Sequence, residues 1–86
     1  MKPEDFTKTD RYAEYVNGGE GFKVHITSIA EVNRTIGILQ IWDNPALMRY
    51  NGGTESIIYR YDIVGALDVD LMIELVCKEY IKLKSN

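Results

Sequence analysis

The chain has 86 residues, 45% of them hydrophobic and 27% charged, with 10 basic and 13 acidic side chains that give a formal charge of -3. This is the composition of a folded domain rather than a disordered chain, and the length allows one core and no second lobe, so residues 1–86 are read as a single domain. No run of lysines or arginines exists to neutralise several phosphates, which argues against direct nucleic-acid binding, and a lone Cys77 excludes an internal disulfide and a multi-cysteine zinc site.

The opening Met1-Lys2-Pro3-Glu4-Asp5-Phe6 is acidic and lacks the apolar core of a signal peptide. The apolar runs are too short to cross a membrane, so a cytoplasmic protein without a membrane partner is expected. From Pro3 to Val16 the pattern predicts a helix, with Phe6, Ala13 and Val16 on one face and Asn17-Gly18-Gly19 as its stop. At Phe22 the period changes to two. Phe22, Val24 and Ile26 alternate with Lys23, His25 and Thr27, which predicts a strand with one buried face.

Ser28 to Glu31 matches a helix capping box, but Asn33-Arg34 suits a hairpin turn, and the hairpin is preferred. The second strand, Thr35 to Trp42, carries Ile36 and Ile38 on one face and Leu39 and Ile41 on the other, the pattern of an interior strand covered twice. Asn44-Pro45 then predicts a capped helical turn that ends at Asn51-Gly52-Gly53. The third strand runs from Ser56 to Val64, with Ile57, Tyr59, Tyr61 and Ile63 on one face and Ile58, Arg60, Asp62 and Val64 on the other. Gly65 breaks it.

The last stretch, Asp68 to Asn86, reads as a strong amphipathic helix. Val69, Met72, Ile73, Val76, Tyr80 and Leu83 recur at helical spacing, and Leu71, Leu75 and Ile81 widen the stripe. The expected fold is therefore a small α+β domain in α-β-β-β-α order. Its three-stranded antiparallel sheet carries an N-terminal and a C-terminal helix, with a short helical turn between strands 2 and 3. This order is similar to that of double-stranded RNA-binding domains. That family has a basic cluster at the start of its last helix, where this chain has Ala66-Leu67-Asp68-Val69-Asp70, and the family is not assigned.

Few residues invite chemistry. His25, the only histidine, sits among polar residues with nothing to fix a partner for it, and Cys77 lies mid-helix, where packing is the ordinary role of a cysteine. Asp62, Asp68 and Asp70 match no calcium loop, and the last two suit the start of a helix. No catalytic residue, metal site or cofactor is therefore assigned. With both helices on one face, three strands would leave apolar surface in water, the mark of an interface.

The leading expectation is a non-enzymatic binding protein acting through protein contacts, an inhibitor or regulator of phage or bacterial type, or a homodimer. Leu39, Ile41, Tyr59, Tyr61, Met72, Val76 and Tyr80 are its candidate interface. The alternative is a small-ligand, nucleotide-like sequestering homo-oligomer that uses Arg49, Arg60, Tyr59, Tyr61 and His25. An enzyme built on His25 ranks third. Mimicry of nucleic acid by an acidic surface ranks below protein binding, because the net charge is small.

Overall fold

A computed structural model describes residues 1–29, 34–65 and 68–85. Its centre is a five-stranded antiparallel sheet whose spatial order follows the chain, β1-β2-β3-β4-β5. The strands are β1 (Thr7–Lys8), β2 (Tyr12–Asn17), β3 (Glu20–Ile29), β4 (Arg34–Trp42) and β5 (Ile57–Val64). A short helix, α1 (Pro45–Tyr50), connects β4 to β5, and a long C-terminal helix, α2 (Val69–Ser85), packs on the sheet. The α+β class stands, but the three-stranded sheet with a helix at each end does not.

The correction falls on the N-terminal stretch. Only a 3-10 turn at Pro3–Asp5 is helical there, and β1 and β2 occupy most of the rest. Aromatic and β-branched residues favour extended chain, and the true period is two. Ala13 and Tyr15 join the core beneath α2, whereas Val16 falls on the opposite face, so Phe6, Ala13 and Val16 do not form a stripe. Asn17-Gly18-Gly19 stops no helix. Asn17 pairs with Glu20 across a Gly18-Gly19 loop, and Gly18 takes the positive φ of 62° that such a tight hairpin needs. With the N-terminal helix gone, so is the likeness in order to double-stranded RNA-binding domains.

The other strands follow the sequence closely. β3 and β4 pair from Ile29 and Arg34 to Gly21 and Trp42, as the preferred hairpin requires, although Asn33 itself lies outside the described residues. β4 is interior, paired with β3 on one side and β5 on the other. A register shift at Ile41/Trp42 sets Ile57, rather than Ile58, opposite Trp42. Such a bulge reverses the alternation locally, so Ile57 leaves the face of Tyr59 and Ile58 joins Ile41, Tyr80 and Leu83 around a shallow groove.

Both helices begin at the predicted caps. Asn44 Oδ1 accepts a hydrogen bond from the Leu47 amide at 3.1 Å, and Asp68 Oδ1 accepts one from the Leu71 amide at 2.8 Å. Asn51 closes α1 in the left-handed conformation at φ 54°. The face of α2 formed by Val69, Met72, Ile73, Val76 and Cys77 is buried on Phe22, Val24, Ile26, Leu39 and Ile41. An aromatic series crosses this layer: Phe6 to Tyr15 at 5.5 Å, Tyr15 to Phe22 at 5.9 Å, and Tyr80 edge-on to Phe22 at 5.0 Å.

Candidate interaction surface

A sheet covered by one long helix has a second face, and here α1 covers only one end of it. Met48 is buried against Gly21, Arg49 pairs with Glu14 at 3.3 Å, and Lys23 Nζ donates to Asn51 Oδ1 at 3.2 Å. Lys23 is only 8% exposed, with its ammonium 6.0 Å from the centroids of both Tyr12 and Trp42. Burial holds its pKa below the ordinary lysine value, against the opposing pull of Glu14. Trp42 Nε1 completes this end by donating to Gln40 Oε1 at 3.1 Å.

Strand register arranges the rest of the face in rows. Tyr12, His25, Ile38 and Asp62 form one, and Glu14, Lys23, Gln40 and Arg60 the next. Arg60 grips Asp62 along the same strand with two hydrogen bonds, of 2.9 and 3.0 Å. That grip holds the Asp62 carboxyl below its ordinary pKa. Burial first, then the Lys23 and Arg60 charges, hold the His25 imidazole below its usual value, against the pull of Asp62. His25 Nδ1 is enclosed and meets no hydrogen-bond partner among the described residues. Ile38 stands between His25 and Asp62 in the row, so the two make no catalytic dyad.

The residues put forward from sequence separate accordingly. Leu39, Ile41, Met72 and Val76 are core, fully enclosed between sheet and helix, and a partner has no access to them. The error is one of coverage: α2 covers the face that was expected to remain open. Tyr80 is half-buried, bonded through its hydroxyl to Glu20 at 3.2 Å. Tyr59 and Tyr61 lie on the α2 side, whereas His25, Arg49 and Arg60 lie on the other. The proposed ligand set is thus divided by the sheet, and both of its arginines are already paired with carboxylates.

Tyr50 and Ile81 are exposed singly on α1 and α2, and the one strand that keeps several apolar side chains exposed among the described residues is β5. Ile58, Tyr61 and Val64 are between 52% and 56% exposed. Among the described residues β5 has β4 on one side only and ends the sheet. The Gly65 amide bonds the Thr35 carbonyl at 2.7 Å, which fixes the phase: Tyr59, Tyr61 and Ile63 turn their amides and carbonyls towards β4. Arg60, Asp62 and Val64 turn theirs outward.

The C-terminal half of α2 meets this edge near its start, where Leu83 lines the groove with Ile58, whereas the beginning of the helix lies beside β1, with Asp70 paired to Lys8. Leu71, Leu75 and Glu79 recur one turn apart, and Glu79 accepts the Tyr59 hydroxyl bond. Leu71 and Leu83 are exposed, and Leu75 is half-buried against the core. The opposite edge, β1, is only 2 residues long.

Among the described residues no group of three or more histidine, cysteine or carboxylate side chains is placed to hold a metal ion. Likewise, no described helix is long and apolar enough to cross a membrane. Comparison with protein-family models, curated proteins and solved structures finds no match.

Proposed function

We propose that this chain is a non-enzymatic binding protein whose recognition surface is the free edge of β5 with the adjoining Glu79 and Leu83 of α2. The observation that carries this reading is the 8-residue edge strand, with outward backbone groups at Arg60, Asp62 and Val64 and exposed Ile58, Tyr61 and Val64. An edge of this kind is a template for a further strand. Main-chain hydrogen bonds supply affinity, and the side chains on either side supply selectivity. Occupying a partner in this way is the action of an inhibitor or regulator, and a cytoplasmic setting suits a chain whose single cysteine is buried and free.

The small-ligand reading has less support, because Arg49 and Arg60 are engaged by Glu14 and Asp62 and the two tyrosines lie across the sheet from His25. The test compares wild type with a Tyr61→Lys, Val64→Lys double variant as immobilised bait. A protein retained by the first and released by the second supports the β5 surface. Equal retention by both removes it.

A further inference from the structure

Residues 58–64 read Ile-Tyr-Arg-Tyr-Asp-Ile-Val, a sequence whose chemistry is nearly symmetric about Tyr61. Arg60 and Asp62 flank the centre with opposite charges, Tyr59 and Ile63 come next, and Ile58 and Val64 end the segment. An antiparallel partner strand related by a two-fold axis at Tyr61 places residue 60 opposite 62 of the other copy. We infer that the strand β5 receives is the β5 of a second copy, paired in this register to give a continuous sheet of two subunits. The inference rests on the β5 surface proposed above and names its occupant.

The backbone agrees with the side chains. A two-fold axis at Tyr61 needs Tyr61 to be a non-hydrogen-bonded position towards the partner, with residues 60 and 62 directed at it. The phase set by Gly65 and Thr35 has this arrangement, since Tyr61 bonds towards β4 and Arg60 and Asp62 face outward. Directly opposed side chains interact, so each Arg60 meets the partner's Asp62 and the reverse, on the face where both are exposed. On the other face the two Tyr61 rings come together at the closest kind of pair.

Charges on an edge strand usually oppose pairing. Here their spacing makes them complementary to a copy of themselves. The bulge near Ile58 limits the pairing at both ends, because the two-fold axis sets each Ile58 opposite Val64 of the other copy.

The experiment uses two single variants. Arg60→Asp leaves residues 60 and 62 both acidic, and Asp62→Arg leaves them both basic, so each variant opposes like charges when it pairs with itself. Folding of each is checked by circular dichroism and the emission of buried Trp42. Light scattering after size exclusion should give wild type twice the 9.8 kDa chain mass, with a dissociation constant raised at least about tenfold in either variant. An equimolar mixture of the two variants should restore the dimer. That rescue cannot arise within a chain, because neither variant regains its own Arg60–Asp62 pair.

A wild type monomeric throughout a dilution series overturns the inference, as does a dimer insensitive to both variants or a mixture that stays monomeric. None of these three results decides the wider β5 reading. That reading is removed only when the lysine double variant retains every partner the wild type does.

Discussion

The Tyr59 hydroxyl donates to Glu79 Oε2 at 3.1 Å, so the outermost long strand is tied to α2 by a polar contact at the margin of the apolar layer. Tyr59→Phe deletes this bond while keeping the ring, and about 1 kcal/mol of stability should be lost, read as a lower urea midpoint at unchanged slope. The same residue predicts an alkaline effect. Burial first, then Glu79, raises the Tyr59 pKa, and burial with Glu20 raises that of Tyr80. A raised folded value means that the contribution is complete below the unfolded pKa of about 10 and is lost as pH rises through the folded value. Urea midpoints should therefore fall above pH of about 10, less steeply in Tyr59→Phe.

His25 predicts the acid side. Its folded pKa is depressed by burial and by the Lys23 and Arg60 charges, so its contribution is present above the unfolded value of about 6.5 and lost as pH falls through the folded one. Wild type should lose stability on acidification below that value. In His25→Gln the slope over this window should flatten. A titration of urea midpoints with equal slopes in both proteins would refute the assignment.

Gly21 is held by space. A Cβ there would stand 2.7 Å from Met48 Sδ and 3.0 Å from Met48 Cε. Met48 is fully buried, so it has little room to turn away, and Gly21→Ala should cost about 1–3 kcal/mol. Shortening the obstacle should relieve the clash: Gly21→Ala with Met48→Ala should be more stable than the sum of the single losses, as thermal or urea melts of the four proteins would reveal.

The start of α2 depends on Asp68. Its carboxylate accepts the Leu71 amide, and Asp68→Ala should cost about 1 kcal/mol, whereas Asp68→Asn should retain most of that. Equal losses in the two variants would assign the effect to charge rather than to the cap.

Where the apolar period was long and strongly capped, the sequence was sufficient to place an element. The α2 helix, the Asn44 cap and the β3–β4 alternation all belong to this class. The N-terminal stretch misled because Phe6, Ala13 and Val16 satisfy a helical spacing by chance, while the Gly18-Gly19 turn that joins Tyr12–Asn17 to its neighbour β3 reads equally well as a helix stop. Two missing strands changed the accounting of cover. A sheet imagined with three strands and two helices became one with five strands and one helix, and Leu39 and Ile41 moved from candidate interface to core. Tyr61 alone of these candidate interface residues is more than half exposed, on the edge strand β5, whereas Tyr59 of the same strand is held half-buried by Glu79 of α2. The Lys23 site was invisible for a related reason, since Tyr12, Trp42 and Asn51 reach it from three separate elements.

Because strand order in space repeats strand order in the chain, each new strand finds its neighbour already made. Such near-neighbour pairing closes short loops and favours rapid folding. The helix is different: it reaches back across the sheet to β2 and β3 and follows every strand of the sheet in the chain. During synthesis the meander emerges with Phe22, Leu39 and Ile41 still bare, and it stays adhesive until α2 clears the ribosome. A chain cut at Gly65 should accordingly be recovered as aggregate, with a synthetic α2 peptide supplied during refolding as its natural remedy.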